Sequence, residues 1–207
     1  MNFNDKQVQI INIAEELFAS RGFEGTSVRD IAEAAGINIA MISYYFGSKE
    51  KLMEAIFELR TSHVKMKVES LINDNSLNHF EKMYLLIDDH ISRVVENTRF
   101  YKIMVTEQLV NKNCSLTEAV KQVKKKNTEI IAELIDQGVK AGEFKEVTDI
   151  PLLMNTLIGT VAQTMLSEAF YREYNHLENM DKAEYQENIK KTLSNHIRQI
   201  FKSILSK

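Results

Sequence analysis

Ala32, Gly36 and Ile42 carry the most informative spacing in this chain of 207 residues. A small side chain four residues before a turn glycine lets two helices cross closely. An apolar anchor six residues after that glycine fastens the second helix to the first, and Ile31, Ala35 and Ile37 fill the seam between them. Two helices joined by so short a turn make a helix-turn-helix, whose second helix is free to enter a DNA major groove. The chemistry to expect is therefore non-covalent: hydrogen bonds to phosphates and contacts with base edges.

Other chemistries lack their residues. His63, His79, His90, His176 and His196 are scattered. Only Asp88-Asp89-His90 sets a histidine beside carboxylates, and adjacent helical residues point in different directions, so no metal site is expected. Cys114 stands alone, which excludes an internal disulfide and a thiol pair for redox work and fits a reducing, cytoplasmic setting. No nucleophile–base arrangement or glycine-rich phosphate loop appears, so the chain reads as a non-enzyme needing no cofactor. Net charge is −3, and residues 1–63 hold six basic against nine acidic side chains, so bulk electrostatics do not advertise a nucleic-acid partner. The basic run Lys121, Lys124, Lys125 and Lys126 reads as a solvated helix face. Apolar stretches are too short to span a bilayer, and the opening MNFNDKQ has no signal region, so no membrane role is expected.

The elements that must position the helix-turn-helix are helical. Seven glycines and one proline leave little turn material for a many-stranded sheet. Val8, Ile11, Ala14 and Leu17 or Phe18 mark a first amphipathic helix, with Asn4 or Asp5 as its cap and Gly22 as its stop. Ser27 and Asp30 form a capping-box pair that opens a second helix, Gly36 turns the chain, and Asn38 caps a third. Helical periodicity resumes at Ser48. It continues over 77–97, 99–111, 116–141, 150–172 and 182–205, with Gly142 as a stop and Asp149 and Pro151 opening the next helix.

The segment IAEELFASRGFEGTSVRDIAEAAGI, followed by ISYYFGSKEKL, closely resembles the N-terminal domain of the tetracycline-repressor (TetR/AcrR) family of transcriptional regulators. The resemblance implies an all-α fold: a three-helix DNA-binding domain at 1–47 and a helical effector-binding and dimerisation domain at 48–207. It implies that Thr26, Ser27, Tyr45 and Lys49 grip phosphates, while Asn38, Ile39, Ala40, Ser43 and Tyr44 read bases. Asn38 would suit adenine, and Ile39 or Ala40 a thymine methyl. The third helix departs from the family pattern: Asn38-Ile39-Ala40-Met41 stands where Ser-Lys-Gly-Thr is common, so a basic contact is lost.

In the C-terminal part, residues 152–171 are apolar nearly all round, and Ile189, Leu193, Ile197, Ile200 and Ile204 fall at steps of three and four. With Leu157 and Val161 they predict a homodimer built as a four-helix bundle. His63, Met66, Tyr84, Ile87, Phe100, Met104, Gln108, Met154 and Ile158 are the candidate lining of a pocket for a small, mostly apolar effector. The functional expectation is a repressor that binds an inverted-repeat operator in double-stranded DNA as a dimer and is released by that effector. The alternative is a DNA-binding protein of the same fold that acts through protein partners in nucleoid or division control.

Overall fold

The computed structural model describes residues 3–61, 70–110, 114–147 and 149–207. Among these, regular structure is helical without strands: α1 (Asp5–Arg21), α2 (Val28–Ala34), α3 (Ile39–Phe46), α4 (Lys49–Thr61), α5 (His79–Glu96), α6 (Thr98–Val110), α7 (Cys114–Lys140), α8 (Ile150–Leu166), α9 (Glu168–Tyr174) and α10 (Lys182–Leu205). Short-range capping chemistry sets many of the boundaries. Asn4, Ser27 and Asn78 each accept from the backbone amide three residues on and receive that residue's side chain in return, while Asp149 and Asp181 cap α8 and α10. Gly36 between α2 and α3 has φ +62, the left-handed turn that only glycine adopts freely. No single helix among the described residues is long and apolar enough to cross a membrane.

Packing divides the chain into two units, residues 1–65 with 99–121 and residues 66–98 with 122–207. In the first, Ile10, Ile11, Ala14 and Phe18 of α1 meet Ile31 and Ala32 of α2, Ile42 of α3 and Leu52, Met53 and Ile56 of α4. Phe100, Ile103 and Met104 of α6 complete this core, with the Phe57 and Phe100 rings 6.2 Å apart. The sequence boundary at 47/48 cuts through this unit, because α4 and α6 help to close the core of the helix-turn-helix.

In the second unit α10 packs along α5, and α5 packs on α8. The buried face of α10 is Tyr185, Ile189, Leu193, Ile197, Phe201 and Leu205, and that of α5 includes Met83, Leu86, Ile87, Ile91, Val94 and Val95. This corrects the dimer seam. Leu157, Val161, Ile189, Leu193 and Ile197 are each no more than 6% exposed within a single protomer, because intramolecular packing around α5 already covers them. Ile200 and Ile204 are only half-buried. The single helix expected over 150–172 is two helices, α8 and α9, bent by 79° at Ser167. Arg172 on α9 donates to the carbonyls of Leu177, Glu178 and Met180 and lies over the Tyr185 ring, fixing the loop that leads into α10.

Candidate nucleic-acid interface

The start of α2 is built from side chains that satisfy one another. Ser27 Oγ accepts from the Asp30 amide, and the Ser27 amide donates to Asp30 Oδ2 at 2.7 Å. The Ser27 hydroxyl and then its amide, both donating to the Asp30 carboxylate, hold that group below its usual range. Thr26 is 1% exposed, and its hydroxyl donates to the carbonyls of Gly22 at 2.9 Å and Leu17 at 3.3 Å. The expectation that the Thr26 hydroxyl faces a phosphate is thereby corrected: it locks the α1–α2 turn. Ser27 is exposed, and Arg29 beside it presents a cation in the first turn of α2.

Lys49 also turns inward. Its ammonium donates to the carbonyls of Phe23 at 2.9 Å and Thr26 at 3.1 Å, and it sits 4.2 Å from the centroid of the Phe23 ring. It ties the start of α4 to the loop before α2, with its charge already engaged. At the other end of α4, Arg60 Nε donates to Glu15 at 2.8 Å and Arg60 Nη2 to Asn12 at 2.9 Å. Both ends of α4 are therefore fastened to α1 or to the turn that follows it.

α3 turns out the face expected of a reader. Asn38, Ile39, Ala40, Ser43 and Tyr44 are all exposed, Ile39 by 45% and Tyr44 by 80%, while Ile42 is buried beneath them. The Asn38 side-chain carbonyl accepts from the Ala40 amide at 2.8 Å, so this residue caps α3. Tyr45 is half-buried, edge-on to Phe46 and Tyr44. No residue of α3 is charged.

The described candidate effector residues are divided between the two units. Phe100 and Met104 are core residues of the first unit. Tyr84, Ile87, Met154 and Ile158 lie in the second, with Ile87 fully buried and the other three half-buried. His63 and Met66 fall outside the described residues, as does the side chain of Gln108. An open cleft of about 360 Å³ in the second unit is lined by Asp88, Ile91, Ser92, Lys190, Lys191, Ser194, Asn195 and Arg198, and none of the candidate effector residues is among them. Among the described residues no cluster suited to a metal ion occurs.

Residues 10–56 match the family described as bacterial regulatory proteins, tetR family, and residues 57–190 match the family described as YsiA-like protein, C-terminal region. Among curated relatives, the fatty acid metabolism regulator protein of Bacillus subtilis is 27% identical over 160 residues, covering 77% of this chain and 81% of that one. Among solved structures, the ketosteroid transcriptional regulator KstR2 of Mycobacterium tuberculosis superposes with a TM-score of 0.76 at 17% identity, over 100% of this chain and 97% of that one. The transcriptional regulator FadR of Bacillus subtilis, in complex with stearoyl-CoA, gives a TM-score of 0.65 at 24% identity, over 90% and 97%.

Proposed function

The chain belongs to the tetR family of bacterial regulatory proteins, which are DNA-binding transcriptional regulators, and from that premise we propose that it is a homodimeric repressor released from an inverted-repeat operator by an amphipathic effector carrying a long acyl chain. The observation that carries the DNA-binding half is the exposed face of α3, where five side chains stand clear above a buried Ile42. Two such helices related by a two-fold axis face half-sites related the same way. Exposed Arg29 in the first turn of α2 supplies a phosphate contact that sets the register. The apolar side chains that stay exposed on α8, Leu152 and Leu166, together with half-buried Ile200 and Ile204 of α10, are the surface offered to the second copy.

The acyl effector is supported by the relative named as a fatty acid metabolism regulator and by the neighbour bound to stearoyl-CoA. Half-buried Met154 and Ile158 offer apolar surface to such a chain, and Met154 adds the flexibility of an unbranched thioether. The test begins with selection of duplexes from a random library by the full-length protein. Anisotropy of the enriched duplex is then followed while stearoyl-CoA, and separately coenzyme A, are added. Release by stearoyl-CoA and not by coenzyme A is expected; a duplex that both molecules leave bound removes the acyl effector from the proposal.

A further inference from the structure

Resting on the reading of α3 as the base-contacting helix, we propose that it recognises its operator through the 5-methyl groups of thymine, so that the half-sites are defined by where methyls line the major groove. Side chains that distinguish bases by paired hydrogen bonds are arginine or lysine for guanine, asparagine or glutamine for adenine and carboxylates for cytosine. Within α3, Ile39 to Phe46, none of these occurs. Asn38 precedes the helix, but its carbonyl oxygen is held by the Ala40 amide at 2.8 Å, and turning it towards an adenine amino group would undo the cap. Ser43 and Tyr44 carry hydroxyls, which both donate and accept and so do not choose a base by themselves.

What the face does present is apolar. Ile39 is 45% exposed in the first turn, Ala40 lies beside it, and the Tyr44 ring stands 80% exposed one turn later. The thymine methyl is the one apolar group that an ordinary base pair shows in the major groove. An exposed isoleucine at a reading position gains by covering a methyl and has nothing to offer an amino group or a ring nitrogen. The absence of charged side chains on α3 fits the same picture, since a methyl is covered by apolar contact and needs no charged partner.

The experiment uses the full-length protein and the duplex it enriches from a random library. Each half-site thymine is replaced in turn by deoxyuridine, which removes only the methyl, and each guanine by 7-deazaguanine, which removes the ring acceptor. Burial of one methyl corresponds to about a fourfold change in affinity, so a symmetric replacement in both half-sites should weaken binding about 16-fold at the position facing Ile39. Replacing guanines should leave affinity unchanged. With Ile39→Ala the deoxyuridine penalty at that position should vanish. Because Ile39 is exposed, the variant is expected to fold, and its unfolding midpoint is measured alongside. Failure to enrich any duplex overturns the DNA-binding reading and this proposal with it. An enriched duplex indifferent to every deoxyuridine, or one weakened by 7-deazaguanine instead, overturns the proposal alone.

Discussion

Replacing Arg60 by methionine should cost the first unit about 3 kcal/mol of stability, towards the low end of what removing one member of a buried ion pair costs. Glu15 is 7% exposed at its side chain and Arg60 26%, with 2.8 Å between Nε and Oε2. At that distance, with an effective dielectric constant of about 20, the mutual attraction is about 6 kcal/mol, which largely offsets the cost of taking both charges out of water. Methionine keeps much of the length of the arginine stem but leaves the carboxylate buried without its cation and leaves Asn12 without its donor. Because Arg60 is about one-quarter exposed, water reaches the site and relieves part of the loss. Urea unfolding of the full-length protein, followed by circular dichroism, should show the unfolding constant raised more than 100-fold. The double variant Glu15→Leu with Arg60→Met should recover to within about 1 kcal/mol of the starting protein, since an apolar pair needs no compensation. A single variant costing less than about 1 kcal/mol, or a double variant whose cost equals the sum of the two singles, would refute the view that this pair fastens α4 to α1.

Lys49→Met should lower the unfolding midpoint and weaken operator binding while leaving the slope of log affinity against log salt concentration unchanged, because its ammonium holds the carbonyls of Phe23 and Thr26; a slope flattened by about one unit would show a phosphate contact instead. Burial pushes the imidazole of His90 down to about 4. The folded form therefore takes up its proton later than the unfolded chain, and stability that is complete above about pH 6.5 should be lost progressively towards pH 4, at up to about 1.4 kcal/mol per pH unit. His90→Phe should flatten that stretch of a stability–pH curve, and an unaltered curve would exclude His90 as its source. Leu166→Glu, at a side chain 43% exposed on α8, should leave folding intact and turn a sedimenting dimer into a monomer; an unchanged sedimentation coefficient would place the contact between copies elsewhere.

The parts legible in sequence were those written within a few residues. The Ser27–Asp30 box, the Asn38 cap and the Gly36 turn each rest on a local hydrogen bond or dihedral, and each occurs where its residue types imply. The exposed face of α3 follows from the same periodicity that buries Ile42. Residue type did not say that Lys49 points inward, because that depends on where the carbonyls of Phe23 and Thr26 lie in the folded chain. The seam on α10 shows a related limit. Ile200 and Phe201, like Ile204 and Leu205, are adjacent apolar residues, and only the crossing with α5 selects Phe201 and Leu205 for burial. The bend at Ser167 has no proline or glycine to announce it; the serine hydroxyl donating to the Gln163 carbonyl is compatible with either a break or a continuous helix.

That Phe100, Ile103 and Met104 complete the core around α1 and α4 bears on how the protein is made and re-engineered. The reading head is not a stretch of chain that ends before the rest begins. A fragment stopping at Thr61 would lack three of its buried apolar side chains, so it should be sticky and poorly ordered by itself. On the ribosome the head cannot finish folding until residues beyond 104 have emerged, with 66–98 already synthesised in between. A chimera that exchanges heads between two regulators at residue 47 or 61 would pair one protein's socket with another's plug. A graft that also carries residues 99–121 keeps the match, and this is where the seams of an exchangeable cassette should be cut.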